Sequence, residues 1–304
     1  MKIKTGFGSH FMIDEKLPVK DRCFRFLEGL PRDLRIACLD QLRTLWTHTS
    51  TAIEGNTLTL GETSFLLNEG LTVSGKTLRE HIEVYGHGAT IEELYDLVED
   101  KQPISREVLF SLHRIVMANS AVVDVYAPVG TWKVDHNGTN VMDPSGNPTY
   151  LEYSAPRDVP YLMEQWITWF NQIGERDLTE QMAARLYAHC HMAFVRIHPF
   201  ADGNGRMARL VSNIPLLKQG LPPVVIAKEV RQEYISLLAS YELAVGVPSL
   251  ANSHLLPSPE LLEPFVEFCA RQWRSSSLRI VQQFVDRSAA RRQADTHDEG
   301  PRLG

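Results

Sequence analysis

The chain has 304 residues, of which 43% are hydrophobic, so it can bury a core as one large domain or two modest ones. Its formal net charge of −6 argues against a dedicated nucleic-acid surface, because such surfaces usually carry a basic excess. No apolar run approaches the roughly 20 residues of a membrane span and the first residues do not resemble a secretory signal, so we expect a cytoplasmic protein that does not bind membranes.

Hydrophobic periodicity predicts a mainly helical chain. The first helix is predicted to begin at an Asp33 N-cap and to end near Ile53, where Gly55 and Asn56 can adopt the left-handed geometry that ends helices. Further helices are predicted near residues 61–70, 77–99, 105–118, 157–172, 179–196, 205–219, 228–244 and 258–293.

Two stretches depart from the helical pattern. Residues 130–151 combine strand-forming residues with an Asn137-Gly138 turn signal and a later Pro, Gly and Asn cluster, which predicts a β-hairpin or extended flap. The polar and charged residues from Ala289 to Gly304 are predicted to be frayed or disordered.

The most informative segment is residues 198–209, HPFADGNGRMAR, which lies between two predicted helices. A Gly-Asn-Gly turn before a helix leaves backbone N–H groups free, and these groups and the helix dipole can bind phosphate oxygens. Asn204 lies between the two glycines and is expected to adopt an unusual backbone angle that turns its N–H inward.

Four side chains of this segment complete a site for an anion. Arg206 and Arg209 are three residues apart on the new helix and therefore share a face. Asp202 can hold Mg²⁺ between two phosphates, and His198 is suited to accept a proton near neutral pH. Taken singly, these residues are typical of a capping histidine, a plain turn and solvated arginines, but together they provide what phosphoryl chemistry needs.

The segment resembles the HxFx[D/E]GNGRxxR signature of the Fic (filamentation induced by cAMP) family and matches every fixed position. The resemblance extends over roughly residues 45–245. It implies a mainly α fold, a Fic-type helical bundle with an inserted β-hairpin flap and an N-terminal inhibitory helix. We expect an N-terminal helical region (1–100), a catalytic core (101–250) and a C-terminal helix with a polar tail (251–304).

The resemblance also implies a protein adenylyltransferase, which transfers AMP from ATP to a Ser, Thr or Tyr hydroxyl of a target protein. His198 would be the general base, and Asp202 would hold the Mg²⁺ ion. ATP phosphates would be bound by the other signature positions of the loop, which are Gly203, Asn204, Gly205, Arg206 and Arg209.

Two further sites follow from the resemblance. The hairpin would pair with the target segment as a strand does, through residues Thr139, Asn140, Val141 and Met142. Tyr234 would contact the adenine base, although ordinary core packing explains it equally well. Ile235 and Glu242 depart from the family pattern nearby, which leaves the base preference open.

A second motif, residues 50–56 (STAIEGN), closes the first predicted helix and resembles the family's inhibitory pattern [S/T]xxxE[G/N]. It implies that Glu54 pairs with Arg209 in place of the γ-phosphate, with Ser50 one turn earlier holding the carboxylate. The alternative places Glu54 in solvent, where the helix dipole disfavours it. The same carboxylate would also permit the reverse reaction, in which an aligned water removes AMP from the target.

Other classes of protein remain open at this stage. A metallohydrolase is suggested by the cluster of His189, His191 and His198 with Asp202, but His189 and His191 are two apart on a helix and point to different sides. A DNA-associated regulator on the same fold, or transfer of UMP, phosphocholine or phosphate, are the remaining alternatives. Helices near 77–99 and 258–293 could form a homodimer face, and the four widely spaced cysteines predict reduced thiols.

Overall fold

The computed structural model describes residues 16–117, 127–142, 146–173 and 178–298. Most of the described residues are helical, which confirms the predicted fold class. The helices are α1 (Arg32–Ile53), α2 (Leu60–Glu69), α3 (Leu78–Glu99), α4 (Arg106–Val116), α5 (Val159–Asn171), α6 (Glu180–Ile197), α7 (Asn204–Val211), α8 (Ile214–Lys218), α9 (Arg231–Val245), α10 (Glu263–Trp273) and α11 (Arg279–Asp298). The strands β1 (Gly138–Met142) and β2 (Pro148–Glu152) form an antiparallel hairpin.

Helix α1 begins two residues before the predicted start. Pro31 is its N-cap and Asp33 lies in the first turn, so the prediction of an Asp33 cap is wrong. The fixed φ of proline suits the entry to a helix, and Asp33 still faces the positive end of the dipole. The end of the helix agrees with the prediction, because Glu54 directly follows the last helical residue.

The segment after α1 is fixed by the caps of the next two helices. α2 begins with a capping box formed by Thr59 and Glu62, and α3 begins with one formed by Thr77 and Glu80. Glu80 also accepts hydrogen bonds from the backbone N–H (3.0 Å) and the hydroxyl (2.5 Å) of Thr57. The chain that leaves Glu54 is therefore attached to the start of α3.

The helix predicted over residues 205–219 is interrupted, and α7 and α8 replace it. Asn213 lies between them, is fully buried, and donates from Nδ2 to the backbone oxygens of Arg209 and Val224 (both 3.0 Å). Its Oδ1 accepts from the Val224 N–H (2.7 Å). An asparagine that bonds to distant backbone in this way competes with continuous helix.

The C-terminal helix also differs from the prediction. A π-helical segment, Arg274–Leu278, joins α10 to α11, where one continuous helix was expected. α11 extends to Asp298, so the prediction that residues 289–298 are frayed is wrong, while residues 299–304 lie outside the described part of the chain. The ion pair of Arg291 with Asp33 (2.6 Å) attaches α11 to the start of α1.

The predicted β-hairpin is confirmed, but Asn137-Gly138 does not form the turn between its strands. Gly138 is the first residue of β1, and the strands are joined through residues 143–147, of which 143–145 lie outside the described residues. Val141 and Leu151 point inward and pack with Ala239 of α9. Within the described ranges the sheet has two strands, so each strand has one edge without a strand partner.

One buried apolar cluster runs from Phe24 to Phe284 and includes residues of all three predicted regions. Its centre is α6, which contacts α5, α7, α8 and α10, and residues 190–197 at its end are all buried. The loop that follows α6 therefore starts from the middle of the fold. The four cysteines are free, and three of them are buried while Cys23 is exposed. No helix among the described residues is long and apolar enough to cross a membrane.

Candidate active site

The loop between α6 and α7 begins at a residue in left-handed conformation. His198 caps the end of α6 with φ 51° and ψ 61°, and its N–H donates to the backbone oxygen of Phe194 (3.1 Å). Pro199 follows, and its ring prevents the helix from continuing. The start of the loop, and with it the direction of the His198 ring, is thus set by the backbone.

The side chain of Asn204 closes this loop. Its Oδ1 accepts from the Phe200 N–H (2.9 Å), and its Nδ2 donates to the Phe200 backbone oxygen (2.7 Å). The left-handed angle expected at Asn204 is found at Gly203 instead, which has φ 77°. Glycine adopts this angle without strain, whereas Asn204 is already helical and braces the turn through its amide.

The start of α7 presents free backbone donors. The Gly203 N–H is engaged by Asp202 Oδ1 (2.6 Å), so the free donors begin one residue later than predicted. The N–H groups of Asn204, Gly205 and Arg206 have no acceptor within the helix, because the first intrahelical donor is the next residue. These three groups and the helix dipole form a site that favours an anion.

His198 is held as a neutral base. Its Nδ1 lies 3.2 Å from the Val195 backbone oxygen, and its ring stacks on Tyr153 at 3.6 Å between centroids. Because a carbonyl only accepts, Nδ1 carries the proton and Nε2 is left to accept one. Burial, and then the charge of Lys133, lower the pKa of His198 to about 3, so the imidazole is neutral at physiological pH.

The base of the hairpin is bonded to the same loop. The Lys133 N–H donates to the Pro199 backbone oxygen (2.9 Å), and Asn137 Nδ2 donates to that of Phe200 (3.0 Å). Lys133 Nζ donates to Asn137 Oδ1 (2.6 Å), and burial lowers the pKa of Lys133 to about 8. Asn137 is used for this attachment, which explains why the Asn-Gly pair does not form the turn.

The four predicted docking residues lie on β1. Val141 is buried, Thr139 is half-buried, and Asn140 and Met142 are exposed, with 61% of Met142 accessible. Their contact with a target remains a prediction.

Arg209 is buried against the end of α1. Its Nε donates to Ser50 Oγ (2.9 Å), and its Nη2 donates to the Ser50 backbone oxygen (2.9 Å) and to Glu54 Oε1 (2.6 Å). Glu54 is therefore not simply solvated. Ser50 bonds to the guanidinium group, not to the Glu54 carboxylate as expected, because the hydroxyl oxygen is an acceptor that a buried cation requires.

The carboxylate of Glu54 lies over the first turn of α7. A Cβ atom built on Gly205 would be 2.6 Å from Glu54 Oε1 and 3.1 Å from Arg209 Nη1. A side chain at residue 205 would require the Glu54 carboxylate to move. The carboxylate thus lies between Arg209 and the first turn of α7, whose free amides favour an anion.

Asp202 and Arg206 border the same turn. Arg206 is 5% exposed, and its Nη2 lies 3.4 Å from Met117 Sδ and 3.6 Å from Asp202 Oδ2. The Asp202 side chain is 62% exposed. The described residues contain no group of three metal-binding side chains. A single accessible carboxylate fits Mg²⁺, which takes one or two carboxylates and completes its shell with water and phosphate.

Tyr234 lies beneath Arg209 and is 1% exposed. Its hydroxyl lies 2.9 Å from His191 Nε2 and accepts from Arg209 Nη1 at 3.4 Å. The contact of Tyr234 with a base remains a prediction. His191 is occupied by this bond, which does not support the metallohydrolase alternative.

The site also contains residues that the sequence analysis did not identify, namely His113, Lys133 and Tyr153. His113 Nδ1 accepts from the Gly130 N–H (2.9 Å), and its Nε2 lies 3.0 Å from the Asp202 backbone oxygen. Its ring stacks on Phe200 at 3.8 Å. The sequence signal that could have pointed to His113 is its partner Gly130, the glycine at the start of the predicted flap.

Relatives of known name match most of this chain. The protein adenylyltransferase fic-1 of Caenorhabditis elegans is 32% identical over 242 residues, which cover 78% of this chain and 41% of the worm protein. The protein adenylyltransferase Fic of Drosophila persimilis is 33% identical over 191 residues, which cover 62% of this chain and 34% of the fly protein. The chain thus spans less than half the length of these relatives.

Solved structures share the fold. A Fic domain containing signaling protein from Bacteroides thetaiotaomicron has a TM-score of 0.72 and 27% identity, covering 87% of this chain and 93% of that one. Fic-1 from C. elegans has a TM-score of 0.64 and 28% identity, covering 86% of this chain and 69% of that one. A sequence model of the Fic/DOC family matches residues 103–216, which include the hairpin and the loop after α6. The chain contains a domain of the Fic/DOC family.

Proposed function

We propose that the chain transfers AMP from ATP to a Ser, Thr or Tyr hydroxyl of a target protein. The observation that carries the proposal is one loop in which a neutral His198 lies beside the free amides of α7 and the buried Arg209. The worm and fly relatives, which are named protein adenylyltransferases, support this activity.

His198 begins the reaction as the general base. Its Nε2 takes the proton of the target hydroxyl, and the oxygen attacks the α-phosphorus of ATP. The bond from the α-phosphorus to the oxygen that bridges to the β-phosphate breaks, and pyrophosphate leaves with that electron pair. The target keeps the AMP group on its oxygen.

The negative charge on the phosphate oxygens is stabilised by groups that the fold holds in position before ATP binds. The N–H groups of Asn204 and Gly205 with the side chains of Arg206 and Arg209 bind these oxygens, and Asp202 would hold the Mg²⁺ ion. When bound, Mg²⁺ supplies positive charge that stabilises the oxygens of the transferred group. Donors held in advance cost no reorganisation during the reaction.

The hairpin provides the place for the target. The free edge of β1, residues Thr139 to Met142, pairs with an extended target segment by backbone hydrogen bonds. Lys133 and Asn137 attach the hairpin to the loop, so a segment paired with β1 is held at a fixed distance from His198.

Glu54 restrains this activity. Its carboxylate lies over Gly205 and bonds to Arg209, so the terminal phosphate of ATP cannot bind there without displacing it. A misplaced triphosphate moves the α-phosphorus out of line with the attacking oxygen. A displacement of about 1 Å costs about a hundredfold in rate.

The proposal is tested by intact mass after incubation with ATP and Mg²⁺. We expect Glu54→Gly to gain one adenylate about a hundredfold faster than the wild-type protein. The double variant Glu54→Gly/His198→Ala should gain none, because it has no base. Glu69→Gly removes a carboxylate from the end of α2 that pairs with Lys16 at the surface, and it should behave as the wild type.

The outcome that contradicts the proposal is a Glu54→Gly protein that gains no adenylate and gives no heat with Mg²⁺–ATP in calorimetry. Parallel reactions with UTP, GTP and CTP test the donor. Release of AMP from a previously modified target by the wild type, but not by Glu54→Gly, would assign the reverse reaction to the resting protein.

A further inference from the structure

His113 lies outside the signature loop, in α4, yet it contacts that loop and the chain that leads to the hairpin. We infer that His113 is a positioning residue that sets the place of Asp202. The inference rests on the proposed function, in which Asp202 holds Mg²⁺.

Both ring nitrogens of His113 are used, and this fixes the tautomer. Nδ1 faces the Gly130 N–H at 2.9 Å, so it must be the acceptor. Nε2 then carries the proton and donates to the Asp202 backbone oxygen at 3.0 Å. A ring that accepts at Nδ1 and donates at Nε2 is the neutral imidazole.

The contact matters because the partners of the Asp202 side chain are all within the same turn of chain. That side chain is 62% exposed, its Oδ1 accepts from the Gly203 N–H at 2.6 Å, and its Oδ2 lies 3.6 Å from Arg206 Nη2. An exposed carboxylate follows the position of its own backbone. The backbone oxygen of Asp202 is bonded to the His113 ring, which is itself packed flat on Phe200 at 3.8 Å.

The same helix holds the chain before the hairpin. His113 accepts from the Gly130 N–H, and the adjacent Arg114 donates from Nη1 to the Gly130 backbone oxygen (3.1 Å). Two consecutive residues of α4 therefore hold both polar groups of one glycine. Through His113, the approach to the hairpin and the proposed metal-binding residue are placed relative to each other.

Partners that orient a metal-binding residue are worth about 10- to 100-fold in metal affinity or activity when they are removed. The test uses His113→Phe, which keeps a flat ring against Phe200 but has no ring nitrogens. In the Glu54→Gly background, we expect the Mg²⁺ concentration for half-maximal adenylate transfer to rise by about tenfold or more.

A second variant separates the hydrogen bonds from the stacked ring. His113→Gln presents an acceptor oxygen and a donor N–H at about the spacing of the two ring nitrogens. We expect it to restore most of the Mg²⁺ dependence lost in His113→Phe. If His113→Phe does not fold, His113→Asn takes its place, because its shorter amide can reach only one of the two partners.

The matched control is His81→Phe. His81 is also buried and uses both ring nitrogens, with the Val73 N–H (2.8 Å) and the Thr77 backbone oxygen (2.7 Å), but it lies at the start of α3. Its replacement should lower thermal stability and leave the Mg²⁺ dependence unchanged.

An unchanged Mg²⁺ dependence in His113→Phe, or an equal shift in His81→Phe, would overturn the inference while the activity of Glu54→Gly still stands. A Glu54→Gly protein without transfer would instead remove the proposed function, and the inference with it.

Discussion

At the scale of single residues, the polar groups of the site are oriented by partners outside the signature. Val195 and Tyr153 fix the ring of His198, and Ser50 fixes the guanidinium group of Arg209. The stacked Tyr153 ring is the contact that most directly sets where His198 Nε2 points. Its plane is within 5° of the histidine ring.

This stack gives a prediction for Tyr153 variants in the Glu54→Gly background. Tyr153→Leu should lower kcat about tenfold, because stacked aromatic pairs contribute about 0.5–1.5 kcal/mol beyond their burial. Tyr153→Phe retains the stacked ring and should remain within about twofold of its parent. Single-turnover adenylate transfer measures both variants. Equal rates for the Leu and Phe variants would show that the stack does not orient the base.

The sequence predicts the loop itself, because its residues are consecutive and their types are specific to phosphate chemistry. His113 and Tyr153 could not be found in this way. A buried histidine on an amphipathic helix and a tyrosine after a strand have the same pattern as core residues. Only the packing of α4 and the hairpin against the loop gives them their place. Spacing along α1 predicts that Ser50 contacts Glu54, but it cannot show that Arg209, on another helix, is the partner that Ser50 binds.

At the scale of elements, Glu80 joins the end of α1 to the start of α3. One carboxylate oxygen accepts from the Thr57 N–H and hydroxyl, and the other accepts from the N–H and hydroxyl of Thr77 (both 2.9 Å). These bonds, that of the Thr57 hydroxyl first, lower the pKa of Glu80 to about 2 from an ordinary value of 4.5.

Glu80→Gln should therefore lower the free energy of unfolding by about 1 kcal/mol at neutral pH, a value kept small because the group is partly solvated. The folded-state pKa is the lower one, so the ionised group stabilises the fold above pH 4.5 and loses this effect as the pH falls towards 2. Urea unfolding of both proteins should converge over that range. Glu69→Gln, at a surface ion pair, should stay within about 0.5 kcal/mol of wild type. A difference for Glu80→Gln that persists at pH 2 would contradict this account.

Periodicity predicts that these elements exist but not where each one is interrupted. The helix expected over 205–219 is divided at Asn213 because that side chain bonds to Val224, a residue outside the pattern. The tail after Ala289 has the composition of a disordered segment, yet α11 continues to Asp298 and lies against α1, where Ser288 is buried and Arg291 pairs with Asp33. Long-range contacts decide both cases.

At the scale of the whole molecule, α6 is the central helix on which the site is built. Trp166 of α5 packs against it, is fully buried, and contacts Phe170 and Phe194 at 4.6 and 5.3 Å between ring centroids. Its Nε1 donates to the Cys190 backbone oxygen at 3.4 Å. The residues that place His198 therefore belong to the same core that stabilises the fold.

Trp166→Ala should lower the free energy of unfolding by about 3–5 kcal/mol, because it removes a large buried ring and leaves a cavity. Urea denaturation measures this change, and the dependence of the unfolding free energy on urea concentration should be the same in both proteins. Trp169→Ala, one turn later on α5 and half-buried, is the matched control and should cost less than about 2 kcal/mol. Similar losses in the two variants would show that α5 is not packed as described.

Helix α1 also orients Arg209, because the hydroxyl and backbone oxygens of Ser50 both accept from its guanidinium group. Glu54 provides one bond to Arg209, while Ser50 provides two. Replacing Glu54 leaves the two bonds to Ser50 in place, whereas losing α1 would remove all three bonds and leave Arg209 its longer contact with Tyr234 (3.4 Å). On the proposed function, α1 both inhibits the resting protein through Glu54 and orients Arg209 for the incoming nucleotide through Ser50. A physiological activator would then need to move only the Glu54 side chain. Displacing the whole of α1 would also remove the bonds that orient Arg209.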